Sequence, residues 1–177
     1  MKNIFKFIYA CLILSVASCN DAIDIEQPGR LGADNAFRSV ADLQGGLLAS
    51  YNFLDTTYEI GFTSAMTDEC YKGRDNGGQN SSEQNFNINS SNGYASGIWS
   101  SYYGAIGMAN RVIAAAAGVD RDEDPTAYDN VLGQAYAIRA FAHFGILTWF
   151  STDYEDDDAR AGILLTSVTE DIFAQVP

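Results

Sequence analysis

The residues with the most informative chemistry lie between positions 68 and 94, where aromatic rings alternate with amide, carboxylate and guanidinium side chains. A sugar ring has a flat apolar face and a rim of hydroxyl groups. Proteins therefore bind sugars with aromatic platforms and with polar partners of these types. The residues that we expect to contact such a ligand are Asp68, Tyr71, Arg74, Asn76, Asn80 and Tyr94.

Arg74 is the strongest of these candidates, because a single planar guanidinium among amides suits neighbouring hydroxyl groups. The alternative is that all six are ordinary loop residues, with the aromatic rings fixing the loop to the core. The exposure of the aromatic rings around Arg74 distinguishes these interpretations. Rings that face solvent favour sugar binding, and buried rings favour a structural role.

Side chains suited to catalysis or metal binding are scarce. His143 is the only histidine, so schemes that need two histidines are excluded. Asp68 and Glu69 are adjacent in a loop, whereas glycoside hydrolysis needs two carboxylates held about 5–10 Å apart. Aspartates alternate over residues 120–124 as in a calcium loop, but Pro125 replaces the required glycine. We therefore predict a protein that is not an enzyme and that uses no metal or cofactor.

The first 19 residues are typical of a bacterial lipoprotein signal. Lys2 and Lys6 precede an apolar run over residues 7–16, and small residues lead to Cys19. The run is shorter than the roughly 20 residues of a spanning helix, which indicates a cleaved export segment. We predict a signal peptide over residues 1–18 and lipid attachment at Cys19. The alternative is an ordinary signal peptide with a chance cysteine.

The net charge restricts the possible partners. The chain has 10 basic and 23 acidic residues, and removal of the signal takes two lysines with it. Such an acidic protein is repelled by nucleic acid and by anionic lipid, so attachment to a membrane must depend on the lipid. Cys70 has no partner for a disulfide once the signal is removed and Cys19 carries lipid.

Three stretches show the periodicity of helices. The first has Asp34 as its expected N-cap and an apolar stripe of Phe37, Val40, Leu43, Leu47, Tyr51 and Leu54. The second covers residues 98–117, with Gly118 as a left-handed cap. The third begins at Asp124-Pro125 and reaches Trp149. It is apolar on almost every side, which predicts a buried helix.

The other segments are predicted to be irregular. Residues 19–32 are an acidic tether, residues 56–97 a long loop, residues 153–158 an acidic loop, and residues 162–165 a short extended piece. Residues 33–177 then form one helical domain. It is expected to be incomplete at its C-terminus, because a capping-type stretch over residues 169–171 is not followed by a helix.

Several polar and aromatic side chains on these helices are better explained by packing than by chemistry. Trp99, Tyr102 and Asn110 fall on or beside the packing stripe of the second helix and are predicted to be scaffold residues. Arg139 and His143 lie four residues apart on the third helix. We expect them to form an interior pair bonded to carbonyl groups or to a carboxylate.

The three helical stretches resemble the N-terminal part of the SusD/RagB family, the surface glycan-binding lipoproteins of Bacteroidetes. The matching blocks lie at residues 35–51, 98–113 and 132–144. Two departures are Gln134, where the family usually has Glu, and residues 149–152, where it usually has Gly-x-x-Pro. Family members are also considerably longer than this chain.

The resemblance implies an all-α fold, a tetratricopeptide-like scaffold of helix pairs with long irregular loops. It also implies a lipid-anchored protein of the outer membrane that faces the cell exterior. Such a protein captures oligosaccharides and delivers them to a SusC-like TonB-dependent transporter. Two alternatives stay open: the capture of peptide or another nutrient, and a structural lid subunit of the transporter without its own ligand site.

Overall fold

The computed structural model describes residues 36–168. These contain five α-helices and one 3-10 helix, and no β-strand, so the predicted all-α class is confirmed. The helices are α1 (Val40–Asn52), α2 (Thr57–Met66), α3 (Ser81–Gln84), α4 (Gly93–Ala116) and α5 (Pro125–Phe150), with the 3-10 turn at Arg121–Glu123. The predicted signal peptide, Cys19 and the tether over residues 19–32 lie outside the described residues.

Helices α1, α4 and α5 pack against one another around a single apolar core, which we call the helical hub. Leu43 of α1, Ile106 and Val112 of α4, and Ala135 of α5 are fully buried there. Neither of the two long helices, nor any other helix in residues 36–168, is apolar over enough of its length to cross a membrane.

The start of α1 differs from the prediction, because the N-cap is Ser39 and not Asp34. The Ser39 hydroxyl accepts a hydrogen bond from the Asp42 backbone N–H at 3.2 Å, and the Asp42 carboxylate accepts one from the Ser39 N–H at 3.0 Å. This capping box satisfies two otherwise unpaired donors. Hydrogen bonds from the backbone of Arg38 and the side chain of Ser39 lower the pKa of Asp42.

The prediction of one long loop over residues 56–97 was wrong. Helices α2 and α3 lie within it, and α4 begins five residues earlier than expected, where the Asn92 side chain accepts a hydrogen bond from the Ala95 N–H at 3.0 Å. Helix α2 buries only Ala65. Because it lacks an apolar stripe, its periodicity could not be recognised from the sequence.

The end of α4 also differs from the prediction. The helix ends with Ala117 in a right-handed conformation, and the Gly118 N–H donates to the Ala115 carbonyl at 3.0 Å. Gly118 is not among the residues with positive φ in the described part of the chain. The left-handed cap expected at this glycine is therefore absent.

Helix α5 begins as predicted, with the Asp124 side chain accepting a hydrogen bond from the Ala127 N–H at 3.0 Å and Pro125 in the first turn. Its predicted full burial was wrong, since Phe141 and Phe144 are each 56% exposed. The buried face of α5 mixes small residues with branched ones, namely Val131, Ala135, Ile138, Ala142, Gly145 and Ile146.

Four side chains of α4 and α5 bind the backbone of residues 161–168, which have no regular secondary structure: Tyr103, Asn110, Arg139 and His143. Asn110 donates to the Leu165 carbonyl at 3.1 Å, and His143 Nε2 lies 3.1 Å from the same oxygen. Arg139 donates to the Thr166 carbonyl at 2.8 Å. The predicted bonding of Arg139 and His143 to carbonyl groups is confirmed, but both residues are half-buried and not interior.

Candidate functional site

A cavity of about 360 Å³ lies where α2, α3, the first turn of α4 and the loop over residues 67–80 meet. We call it the loop cavity. Four of the six residues predicted to contact a ligand line it: Tyr71, Asn76, Asn80 and Tyr94. Residues that are nearly 25 positions apart in the chain are thus brought to one site.

Tyr94 is held rigidly in the cavity wall. Its ring lies on Gly61 of α2, where an added Cβ would stand 2.6 Å from Tyr94 Cε1. It makes an edge contact with Phe62 at 6.3 Å between ring centroids, and its hydroxyl donates to Asn80 Oδ1 at 3.1 Å. The ring is therefore positioned before any ligand arrives, which lowers the entropy cost of binding.

A left-handed turn lies beside the loop cavity and contributes Asn76 and Asn80 to its lining. Gly77, Gly78 and Asn80 all have positive φ, a conformation that glycine and asparagine tolerate best. Asn76 accepts a hydrogen bond from the Gly78 N–H at 3.0 Å and donates to the Gln79 carbonyl at 2.8 Å. The amide of Asn76 is thus occupied in shaping the turn.

Other polar groups of the loop cavity have no partner within residues 36–168. Tyr71 is 88% exposed and contributes nothing to the core, and the Lys72 ammonium makes no ion pair in this part of the chain. Gln84 Oε1 is buried without a hydrogen bond. A buried acceptor without a donor is destabilising, so a hydrogen bond donated to this atom would stabilise the site.

Sequence reasoning missed Lys72 and Gln84, although both line the cavity. Lys72 is the only lysine outside the predicted signal peptide and stands next to Tyr71, which was a usable signal. No feature of the sequence indicated Gln84, because the burial of its side chain depends on how α3 packs.

Asp68 and Arg74 do not line the loop cavity. Both are exposed and neither makes a hydrogen bond or an ion pair in the described residues. The structure therefore does not group them with the other four candidates, and their contact with a ligand stays a prediction.

Glu83 of α3 is buried next to Gln84 in the chain and connects α3 to α4. It is only 5% exposed and accepts hydrogen bonds from Asn92 Nδ2 at 2.5 Å and from the Ser82 hydroxyl at 2.8 Å. Burial by itself raises the pKa of Glu83, but hydrogen bonds from its own backbone N–H, Ser82 and Asn92 outweigh burial and hold the pKa below its usual value. A charged Glu83 thus ties α3 to the start of α4.

The scaffold residues behave largely as predicted. Trp99 packs on Tyr103 and on Phe150, with ring centroids 4.6 and 5.0 Å away. Asn110 is buried and binds the backbone of the C-terminal segment. Tyr102 packs beside Phe141 but also lines a second cavity. In residues 36–168 no group of three or more His, Cys, Asp or Glu side chains could hold a metal ion.

Comparison with known proteins agrees with the helical pattern. Residues 34–175 match the SusD-like family described as "Starch-binding associating with outer membrane". The SusD-like protein P2 of Formosa agariphila is 28% identical over 152 residues, which cover 82% of this chain and 30% of that relative. The chain thus spans less than a third of the length of the curated relative it matches. No solved structure matches it.

Proposed function

We propose, from the premise that this chain belongs to the SusD-like family, that it captures oligosaccharides at the cell surface. The family is described as starch-binding and as associating with the outer membrane. The captured ligand is then delivered to a SusC-like TonB-dependent transporter, with this protein acting as the binding partner of the transporter.

The observation that carries this proposal is the composition of the loop cavity. Tyr94 offers a fixed ring and Tyr71 an exposed one, and each can lie against the apolar face of a sugar. Lys72 can donate to ligand hydroxyl groups, and Gln84 Oε1 can accept from one. The exposure of Tyr71 makes its ring accessible to a ligand.

We propose binding without turnover. The described lining of the loop cavity contains no Asp or Glu, and hydrolysis of a glycosidic bond requires two carboxylates on either side of it. The amide, hydroxyl and ammonium groups in the cavity can bind hydroxyl groups, and the lining holds no carboxylate pair for the usual hydrolytic reaction.

The proposed anchor is the lipid on Cys19, with the acidic residues 19–32 as a spacer. An anchor confines the cavity next to a transporter and raises the local ligand concentration. Palmitate labelling tests this: the wild type should incorporate label and Cys19→Ala should not. Equal labelling of both would remove the basis for the anchor.

The test of ligand capture is a calorimetric titration of the full-length protein with a panel of oligosaccharides. Tyr71→Ala should weaken binding of the recognised glycan about tenfold, since it removes one stacking platform. Tyr154→Ala is the matched control, because Tyr154 is 62% exposed and lies outside the cavity.

Two results would contradict the proposal. One is binding of a peptide or vitamin with no glycan bound. The other is an equal loss of glycan affinity in Tyr71→Ala and Tyr154→Ala. Arg74→Ala belongs in the same series, and its effect should be smaller than that of Tyr71→Ala because Arg74 does not line the cavity.

A further inference from the structure

A second cavity, of about 250 Å³, lies between the end of α1, the start of α2 and the faces of α4 and α5. We call it the carboxylate cavity. It shares no lining residue with the loop cavity. Its volume is slightly below the roughly 300–1,000 Å³ of sites for drug-sized ligands, and so suits a single small ring.

Two carboxylates face this cavity, Asp55 and Glu59. Asp55 Oδ1 accepts hydrogen bonds from the N–H and the hydroxyl of Thr57, at 2.9 and 2.6 Å, and Glu59 Oε1 accepts one from the Tyr102 hydroxyl at 2.5 Å. The second oxygen of each carboxylate has no hydrogen-bond partner in residues 36–168. The hydrogen bonds from Thr57 lower the pKa of Asp55, which is therefore charged at neutral pH.

No basic side chain of the described residues neutralises these carboxylates. The ion pair found in residues 36–168 joins Arg121 to Asp129, and neither of those residues lines the cavity. Asp55 is exposed and Glu59 is half-buried, and two like charges at the rim of one pocket repel each other. This repulsion falls when a cation enters.

Three aromatic rings line the carboxylate cavity, and close contacts with glycines hold two of these rings in place. The Tyr102 ring lies directly on Gly145 of α5, and the Phe53 ring lies directly on Gly104 of α4, so closely that a Cβ at either glycine would clash. Phe141 adds a third ring, 6.4 Å from that of Tyr102. Burial and then the hydrogen bond to Glu59 raise the pKa of Tyr102, so its hydroxyl remains a donor.

We propose that the carboxylate cavity binds the ammonium group of a small ring-shaped ligand, such as a 2-amino sugar. Asp55 and Glu59 supply the opposite charge, and the faces of Phe53, Tyr102 and Phe141 attract both a cation and an apolar ring face. A hydrated divalent metal ion fits poorly, because it requires more oxygen ligands than two carboxylates and tolerates few aromatic walls. This proposal does not depend on sugar binding in the loop cavity.

The experiment is a calorimetric titration of the full-length protein at about pH 6, where an amino sugar is protonated. Glucosamine is the probe, and glucose and N-acetylglucosamine are its uncharged counterparts. The wild type should bind glucosamine at least about fivefold more tightly than either neutral sugar, and added salt should reduce this preference.

Matched variants distinguish an effect of the carboxylate cavity from an effect of the protein's overall charge. Asp55→Asn with Glu59→Gln should abolish the preference for glucosamine and retain the hydrogen bonds from Thr57 and Tyr102. Glu155→Gln with Asp157→Asn removes the same charge from an exposed loop and should leave the preference intact. Circular dichroism establishes that both double variants are folded.

Three outcomes would overturn the proposal: equal affinity for glucosamine and N-acetylglucosamine, the same loss of preference in both double variants, and displacement of glucosamine by calcium at equal stoichiometry. Tyr71→Ala should not change glucosamine binding at this cavity. A failure here therefore leaves the proposal for the loop cavity standing, and the reverse also holds.

Discussion

The helical hub and the loop cavity differ in whether a buried polar side chain has all its hydrogen-bond partners. In the hub, the buried amide of Asn110 makes three hydrogen bonds, to the carbonyl groups of Leu165 and Ser167 and to Arg139. In the loop cavity, Gln84 Oε1 is buried without a partner. A satisfied polar network makes a fold rigid, whereas an unpaired buried group is destabilising unless a ligand pairs with it. The comparison separates residues that stabilise the fold from residues available for binding.

The largest effect is expected from truncating the core of the hub. Leu43→Ala should lower the free energy of unfolding by about 2–5 kcal/mol, because Leu43 is fully buried between three helices. Leu48→Ala in the same helix is the control, since Leu48 is 68% exposed and should cost less than about 0.5 kcal/mol. Denaturant unfolding of the two variants measures the difference. Equal losses would mean that α1 is not packed as described.

A smaller loss is expected where two elements meet across a glycine. Gly145→Ala should destabilise the protein by about 1–3 kcal/mol, because the new methyl group would clash with the ring of Tyr102. Gly133→Ala is the control on the same helix, where an added Cβ meets nothing, and it should gain up to about 1 kcal/mol. Thermal unfolding of both variants is the measurement, and a stabilised Gly145→Ala would contradict the close contact.

The loop cavity should show effects of opposite sign on stability and binding. Gln84→Leu removes an unpaired buried acceptor and should leave the free energy of unfolding unchanged or raise it by about 1 kcal/mol. The same change should weaken binding of the recognised glycan about fivefold. Glycan titration and thermal unfolding of one preparation measure both. A loss of stability without a change in affinity would assign Gln84 to the fold.

The smallest effect concerns pH and Glu83. Because the folded-state pKa of Glu83 is lowered, its contribution to stability is present above its unfolded pKa of about 4.5 and is lost as pH falls through the folded value. The wild type should therefore exceed Glu83→Gln in melting temperature at pH 7, and the gap should shrink by pH 3.

Glu69→Gln serves as the control for this titration, because Glu69 is exposed and makes no hydrogen bond in the described residues. Its melting temperature should follow that of the wild type at every pH. A gap between wild type and Glu83→Gln that is constant from pH 7 to pH 3 would exclude a role for the charge of Glu83.

Long helices with strong local signals could be predicted from the sequence. The Asp124-Pro125 start of α5 depends on neighbouring residues alone and is found in the structure. Of the predicted apolar stripe, Val40, Leu43 and Leu47 are buried in α1, whereas Tyr51 is exposed and Phe37 and Leu54 lie outside the helix. Short helices could not be predicted in this way. Helix α2 buries only Ala65, so its position depends on aromatic contacts with α4 that are distant in sequence, such as that of Tyr94 on Gly61.

The types of residue in the candidate site could be predicted from the sequence, but which of these residues lie together could not. A mixture of rings and amides over residues 68–94 marked the segment, and four of the six candidates line one cavity. The sequence could not show that Asn76 is occupied within a turn or that Arg74 lies outside the cavity. Those outcomes depend on the left-handed turn at Gly77 and Gly78 and on the packing of α3.

The sequence by itself determined the acidic charge and the lipoprotein-type N-terminal pattern, because each depends on composition or on local spacing. Its three helical blocks carried the resemblance to the family, and that resemblance implied the all-α class. Only the tertiary structure decided which groups are free to bind. Whether Gln84 Oε1 is unpaired, or Asp55 has a basic side chain beside it within residues 36–168, depends on which elements come together in space. A polar side chain has the same chemistry in every sequence, but its availability depends on the partners that folding brings within hydrogen-bond distance.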